Sequence, residues 1–352
     1  MTLSPEIVYF SFFLIFVLTV IYADLFIVGK GRHKVTLKES TIWTLIWVGC
    51  AILFYFFILF YGDKIHGIND ISRLEHIKNK YGSLFGIDKN DFQQSIQNYR
   101  QNMSLEYITG YLIEYSLSVD NIFVILMILL AYSVSVKNYK RVLFFGILGA
   151  IILRFIFIFA GAALLQKFEW LLIVFGIFLL YTGIRMFIER NKEEKIETGN
   201  NKIIKFFSKH FSVFPRYLKD YFFIKRRGKI MITPLFMVLI IIEFTDLLFA
   251  VDSIPAIFSV TRDPFVVFFS NIFAILGLRS LFFLLINFMN KFHYLKAGLS
   301  VLLIFIGTKL VLSDYLKEVG FKTVYSLYII LTILLISVIA SLLYPKNKQQ
   351  TV

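Results

Sequence analysis

Long apolar runs separated by short polar segments form the dominant pattern along the chain. Nine of these runs approach or exceed the roughly 20 residues that a helix needs to cross about 30 Å of hydrocarbon. The predicted spans are approximately 5–28, 41–62, 107–134, 141–165, 168–188, 232–258, 265–288, 295–313 and 323–344. The pattern therefore predicts an all-α membrane protein of about nine transmembrane helices.

The composition agrees with a lipid bilayer as the main solvent. Of the 352 residues, 58% are hydrophobic and only 17% are charged, which exceeds the apolar content that one soluble core requires. The single cysteine, Cys50, lies within an apolar span, so a disulfide framework and a cysteine-based metal site are both excluded. The first apolar run lacks a basic n-region and a small-residue cleavage site, and we interpret it as a retained helix.

The formal net charge of +14 could indicate nucleic acid as a partner, but the basic residues lie between apolar spans, as in membrane proteins. They concentrate in the segments that follow alternate spans. These residues include Lys30, Arg32, Lys34, Lys38, Lys137, Lys140, Arg141, Lys225, Arg226, Arg227, Lys229, Lys291 and Lys296. By the positive-inside rule these segments are cytoplasmic, which places the N-terminus outside and the C-terminus inside. We expect the lipid bilayer, and no nucleic acid, as a partner.

The spans divide the chain into six parts. In order they are two N-terminal helices, an extracytoplasmic loop, a three-helix unit, a basic cytoplasmic loop, a second three-helix unit, and a C-terminal helix with its tail. They cover residues 1–62, 63–106, 107–190, 191–231, 232–313 and 314–352. In the first loop, acids nearly balance bases, and His66 and His76 are too weakly arranged for a metal site. We interpret that loop as a solvated polar cap.

The two three-helix units resemble copies of each other. The segment Glu114-Tyr-Ser-Leu-Ser-Val-Asp120-Asn-Ile-Phe parallels Asp246-Leu-Leu-Phe-Ala-Val-Asp252-Ser-Ile-Pro, with acids six positions apart in both. Further landmarks follow in the same order, with Arg154 matching Arg279 and Gly183-Ile-Arg185 matching Gly307-Thr-Lys309. Because each unit crosses three times and a non-crossing loop joins them, the second copy enters with opposite polarity. The sequence predicts an inverted repeat, a recurring design of secondary transporters.

Acidic residues inside the predicted spans are the main candidates for chemistry. They are Asp24, Glu114, Asp120, Glu243, Asp246 and Asp252. Each charge near the bilayer centre costs about 2.5–3.5 kcal/mol or more, so their presence indicates an ion path. Glu243 and Asp246 are three residues apart and share a helix face.

Neutral oxygen donors accompany these acids. Ser118, Asn121 and Ser253 supply hydroxyl and amide groups, and Pro255 is expected to break its helix and free backbone carbonyls. An all-oxygen set suits hard divalent ions such as manganese, magnesium or calcium, whereas softer ions favour thiolate or imidazole. The sequence therefore predicts a carboxylate site for a divalent cation near the repeat interface.

A second interpretation assigns the acids a structural role. Arg154 and Arg279 could neutralise them and form a buried ion-pair network that fixes helix packing. Arg185 and Lys309 lie near span ends, where snorkelling to the interface explains their charges. Asp24, at the end of the first span, fits either the ion path or an interfacial charge.

The intramembrane motifs resemble those of a known family. The pattern Glu114-x5-Asp120-Asn121 is followed by Glu243-Phe-Thr-Asp246-Leu-Leu-Phe-Ala-Val-Asp252-Ser-Ile-Pro255 and then by Ser270-Asn-Ile-Phe-Ala-Ile-Leu-Gly-Leu-Arg279. From about Asp24 to Lys317 the chain resembles the TerC family of integral membrane proteins, named for tellurium resistance. The resemblance implies a bacterial inner-membrane protein with inverted repeats, several of whose relatives export manganese. It also implies that Glu114, Asp120, Glu243, Asp246 and Asp252 serve that ion.

The leading hypothesis is a manganese(II) exporter that works by alternating access, with protons as a candidate counter-ion. The ion is then the transported substrate, no permanently bound cofactor is expected, and the protein is not an enzyme. The alternative is a membrane scaffold or assembly factor linked to tellurite or metal stress, which docks membrane proteins through loop 191–231. An intramembrane hydrolase with paired carboxylates lacks a substrate-selecting motif.

Overall fold

The computed structural model describes residues 5–23, 36–82, 85–168, 170–189, 213–214, 218, 221–226, 229–286, 294–321 and 323–343. Within these ranges the chain is almost entirely helical. The helices are α1 (Pro5–Ala23), α2 (Leu37–Ile65), α3 (Ile71–Tyr81), α4 (Phe92–Ala131), α5 (Val136–Lys167), α6 (Leu171–Glu189), α7 (Pro234–Phe258), α8 (Pro264–Ile286), α9 (Leu295–Val311), α10 (Ser313–Glu318) and α11 (Thr323–Leu343). Strands β1 (Phe223–Arg226) and β2 (Lys229–Ile232) form an antiparallel hairpin before α7. Asp24 and most of loop 191–231 lie outside the described residues.

Polar caps fix where several helices begin. The side chains of Thr36, Asp70 and Asp91 accept hydrogen bonds from backbone N–H groups in the first turns of α2, α3 and α4. Thr233 does the same for α7. Such caps satisfy N–H groups that have no partner within the helix. Gly82 ends α3 with a φ of 63°, a conformation that favours glycine.

Six helices in the described part of the chain are long and apolar enough to cross a membrane. They are α2, α5, α6, α7, α8 and α11, and their apolar stretches run over Leu37–Ile65, Val136–Lys167, Leu171–Glu189, Pro234–Phe258, Pro264–Leu285 and Val324–Leu343. Shorter apolar helices cover Pro5–Val20 and Ala297–Val311, and α4 covers most of the predicted span 107–134. The all-α membrane class is therefore confirmed, while the predicted total of nine crossings stays a prediction.

Burial places α8 at the centre of the bundle. About nine-tenths of its apolar stretch is buried (89%), against 22% for each of α2, α6 and α11. The outer helices expose large apolar side chains such as Leu53, Ile188 and Leu343. A helix that is apolar on all sides and buried by other helices forms the core, whereas exposed apolar faces suit contact with lipid.

The helices of the two predicted repeats pack against each other. Helices α4 and α5 both contact α7 and α8, and α6 packs along α9. Helices α6 and α9 approach each other closely because glycines lie where they touch. A Cβ on Gly307 would lie 2.8 Å from the carbonyl oxygen of Gly176. A Cβ on Gly183 would lie 3.0 Å from the carbonyl oxygen of Ser300. Small residues at these points let the two backbones meet.

The predicted loop 63–106 contains far more helix than expected. Helix α2 continues to Ile65, α3 follows, and α4 begins at Phe92, well before the predicted start of its span. Leu74, Ile77 and Tyr81 are buried on one side of α3. Because this face packs against the rest of the protein, the interpretation as a freely solvated loop is wrong.

The predicted helix break at Pro255 is also wrong. Helix α7 continues through Pro255 to Phe258, and the N–H of Ser259 then bonds the carbonyl oxygen of Pro255 at 3.1 Å. Proline lacks the N–H that would bond the carbonyl four residues earlier, at Val251, but near a helix end this lost bond does not stop the helix. The carbonyl group of Val251 therefore lacks its helical hydrogen bond, but the helix is not broken.

Candidate ion-binding site

Arg154, in the middle of α5, holds together the centre of the bundle. Its side chain is fully buried and its Nη1 donates to Glu114 on α4 and to Asn271 on α8. Its Nη2 donates to Oδ1 of Asp246 on α7 at 3.3 Å. One guanidinium thus joins acids from both predicted repeats, and the ion pairs expected for Arg154 are present.

The charges at this centre do not balance within the described groups. A buried arginine requires a paired anion because removing a charge from water costs several kcal/mol. Arg154 compensates one carboxylate, yet Glu114 and Asp246 both contact it. The excess negative charge, with Glu243 one turn before Asp246, makes the centre attractive to a cation.

Several candidate ligands carry buried atoms without a hydrogen-bond partner in the described structure. These atoms are Oε2 of Glu114, Oε2 of Glu243, Oδ2 of Asp246, Nδ2 of Asn121 and Oγ of Ser253. A buried polar atom left unpaired costs about 1–3 kcal/mol, so natural proteins keep few of them unless a function needs them. All five belong to residues that the sequence singled out, and all lie on α4 or α7.

Glycines on α5 make the room for Glu243. The Glu243 carboxylate lies against Gly149, so closely that any Cβ there would overlap it, and within 4.0 Å of a Cβ position on Gly146. Ser118 donates to Glu114 at 3.5 Å and is fully buried. The glycines of α5 therefore accommodate an acid of α7.

The remaining predicted residues are placed as follows. Asp120 and Asp252 lie within α4 and α7, but their side chains are outside the described part of the structure. Arg279 is partly buried on α8. Lys309 does not reach the central group and instead lines a separate cavity at the end of α9. Among the described residues, no three His, Cys, Asp or Glu side chains are grouped so that they could hold a metal ion.

Two residues of the centre were missed by sequence reasoning. Asn271 bonds Arg154, and Gly149 admits the Glu243 carboxylate. The signal for Asn271 was a Ser-Asn pair inside an otherwise apolar helix. Gly149 lies in an apolar run five residues before Arg154, and the sequence does not show which side chain it faces.

A second charged group surrounds His66, with members at the start of α1, just after α2, on α3 and between α7 and α8. His66 is fully buried, with Nδ1 3.1 Å from Oε1 of Glu6 and Nε2 2.7 Å from Oδ2 of Asp263. Arg73 donates to Glu6 at 3.2 Å and to the His66 carbonyl oxygen at 3.2 Å. Burial alone would lower the pKa of His66, but the carboxylates of Asp263 and Glu6 outweigh it and raise the pKa to about 9. His66 is therefore a structural cation, not a residue of a solvated loop.

Comparisons with known proteins agree with the motif and the fold. The family model described as integral membrane protein TerC family matches residues 99–349. An uncharacterized membrane protein of Myxococcus xanthus, STKORF319, is 41% identical over 335 residues, which cover 95% of this chain and 92% of the relative. A protein of Escherichia coli strain K12, named putative membrane-bound redox modulator Alx, is 38% identical over 304 residues, or 86% of this chain and 85% of that protein.

A membrane protein of Rickettsia felis is 44% identical over 238 residues, which cover 68% of this chain and 77% of the relative. No solved structure matches the chain. The family match spans most of the sequence and includes every described residue of the Arg154 centre. The chain belongs to the TerC family of integral membrane proteins.

Proposed function

We propose that this protein transports a divalent cation across the membrane, with export of manganese(II) as its activity. The observation that carries the proposal is the pair of buried oxygens without a hydrogen-bond partner on Glu114 and Asp246, two acids that both contact Arg154. Glu243, three residues before Asp246, carries a third such oxygen. Carboxylate oxygens that lack hydrogen bonds can be satisfied by a hard cation. A purely structural ion pair would instead have its oxygens bonded.

The packing supports two inverted repeats and alternating access. Each of the first two helices of one repeat contacts each of the first two helices of the other, and the third helices pack together. The close contacts are reciprocal as well: Gly176 meets Gly307, and Gly183 meets Ser300. The sequence separation between Gly176 and Ser300 equals that between Gly183 and Gly307. When one repeat is placed on the other, these residues therefore take each other's positions, and each of the two contacts becomes the other. In transporters of this kind the substrate binds between the repeats.

Arg154 gives the site a way to bind and release its substrate. In the absence of the ion, the guanidinium contacts both Glu114 and Asp246 and compensates one of their two negative charges. An arriving divalent cation supplies more positive charge at short range and weakens these ion pairs. When the ion leaves, the pairs form again and limit the uncompensated charge in the bundle interior. Asp120 and Asp252 follow Glu114 and Asp246 by six residues, about 9 Å along a helix, and extend the acidic path.

Manganese is the proposed ion for two reasons. The donors are oxygens of carboxylate, amide and hydroxyl groups, which suit hard divalent ions, and the family resemblance implies manganese. The redox modulation in the name of the Escherichia coli relative is compatible with control of a redox-active metal. The proposed location is the bacterial inner membrane, with basic segments in the cytoplasm.

The test is manganese uptake into proteoliposomes that contain purified protein, with and without an imposed pH gradient. The native protein should accumulate manganese, and Glu114→Gln and Asp246→Asn should each reduce the initial rate at least tenfold. Glu318→Gln is the matched control, because Glu318 is exposed at the end of α10 and should leave the rate unchanged. Gel filtration of each variant checks that it remains folded.

Two results would contradict the proposal. Native rates in folded Glu114→Gln and Asp246→Asn proteins would remove these acids from the transport path. Absence of transport by the native protein, for manganese and for other divalent ions, would favour the scaffold hypothesis. Deleting loop 191–231 would then test whether partner binding depends on it.

A further inference from the structure

A cavity of about 90 Å³ lies apart from the Arg154 centre, beside Glu106 in the first half of α4 and next to the ends of α3, α7 and α9. Its polar lining includes Glu106, Ser259, Thr261, Arg262, Lys309 and Ser313. The remaining lining includes apolar side chains such as Leu172 and Phe258. An acid and two bases therefore share a partly open space near one end of the bundle.

Glu106 is buried but well supported by hydrogen bonds. Its Oε1 accepts from Nδ2 of Asn102 at 2.7 Å, and the Thr261 side chain also hydrogen-bonds its carboxyl group. Lys309 is close enough for its charge to attract that of Glu106. Glu106 thus differs from Glu114, which has a buried oxygen with no partner in the described structure. A satisfied carboxyl group beside a lysine does not demand a metal ion, but it can gain and lose a proton while keeping its neighbours.

Glu106 lies on the same helix as Glu114 of the Arg154 centre. Glu106 and Glu114 lie eight residues apart on α4, or about 12 Å along the helix axis. Between them Gly110 lies against α8, where a Cβ on Gly110 would be 3.0 Å from Oγ of Ser270. The next residue of α8, Asn271, bonds Arg154. Helix α4 therefore connects the cavity to the centre, and α8 packs against α4 between Glu106 and Glu114.

We infer that Glu106 and Lys309 form the proton-exchange site that couples proton movement to cation transport. This inference rests on the proposed transport function and assigns residues to its counter-ion. The Glu106 carboxylate takes one proton from cavity water and becomes a neutral acid, while Lys309 keeps its positive charge. Loss of the proton returns it to cavity water and restores the carboxylate.

The change of charge at Glu106 affects cation binding at the Arg154 centre. Protonation of Glu106 adds one positive charge about 12 Å from Glu114, which disfavours a divalent cation there. Binding of the cation in turn favours release of the proton, so the two ions exchange. The other charged or titratable groups near Glu106 are Arg262, Asp263, Tyr81 and Tyr99. None of them bridges to Glu114 in the hydrogen bonds of the described structure.

The test separates proton coupling from cation binding. Manganese binding to purified protein in detergent is followed by calorimetry in buffers of different ionisation enthalpy, which counts the protons released per ion. Glu106→Gln should bind manganese within about twofold of the native affinity but release fewer protons. In proteoliposomes an imposed pH gradient should accelerate transport by the native protein and lose this effect in Glu106→Gln. Glu106→Asp should retain part of the response, and Glu318→Gln should retain all of it.

Each outcome is informative. Native proton release and a native gradient response in Glu106→Gln would overturn the inference while leaving the proposed transport intact. Loss of manganese binding in folded Glu106→Gln would also overturn it, because Glu106 would then be a cation ligand. If Glu106→Gln does not fold, Lys309→Gln provides the second variant, and an unchanged proton count there overturns the pair assignment. Absence of manganese binding and transport in the native protein would overturn the proposed function itself.

Discussion

At the scale of single residues, Arg154 is the side chain on which the interior depends most. It is the largest fully buried side chain in the described core and contacts groups on three other helices. Its neighbours Glu114 and Asp246 would lose their only described cationic contact if it were replaced. A buried pair that loses one partner is strongly destabilising because the other charge remains without compensation.

We predict that Arg154→Met lowers the unfolding temperature of the purified protein and that added manganese restores part of the loss. Breaking a buried ion pair costs about 3–5 kcal/mol, and a cation bound by the freed carboxylates would replace the missing charge. Thermal unfolding in detergent, with and without manganese, measures both effects. Arg185→Met is the control, because Arg185 is exposed and its ion pair with Glu189 contributes little. Equal unfolding temperatures for Arg154→Met and the native protein would contradict this role.

At the scale of secondary-structure elements, His66 and the charged side chains around it connect three segments that are distant in sequence. Glu6 comes from α1, Arg73 from α3, and Asp263 from the connection between α7 and α8. Protonated His66 can donate to both carboxylates at once, whereas neutral His66 can donate to only one. The strength of these contacts therefore depends on pH.

The sign of the pH effect follows from the raised pKa of His66. Its ordinary value is 6.5 and its value in the folded protein is about 9. A group whose folded pKa is raised contributes its full stabilisation below the unfolded pKa and loses it as pH rises through the folded pKa. We predict that the unfolding temperature of the native protein falls between about pH 6.5 and pH 9, more steeply than that of His66→Gln. His76→Gln, at an exposed position of α3, should follow the native curve, and parallel native and His66→Gln curves would contradict the assignment.

At the scale of the whole molecule, the sequence predicted the helices better than their contacts. Each predicted span overlaps a described helix because long apolar runs leave few alternatives to a helix in lipid, but the ends of the spans were less well predicted. The sequence offered ion pairs of Arg154 and Arg279 with the intramembrane acids only as a structural alternative, because opposite charges in a membrane core attract, and it did not show that Arg154 would contact Glu114 and Asp246. The sequence did not identify His66 as part of a buried charged group, because its partner Asp263 lies 197 residues away and only tertiary packing brings them together. The break at Pro255 failed because local propensity near a helix end is outweighed by the surrounding packing.

The orientation of the whole molecule is the prediction that depends most directly on the number of crossings. Nine crossings put the ends on opposite sides, whereas an even number would put them on the same side. A pH-sensitive fluorescent tag should respond to external buffer when fused before residue 5 and to cytoplasmic pH when fused after residue 343. A tag in loop 191–231 should report the cytoplasm and serves as the internal reference. Both terminal tags on one side would exclude nine crossings, whereas the opposite polarity of the two repeats depends only on three crossings in each unit and a joining loop that does not cross.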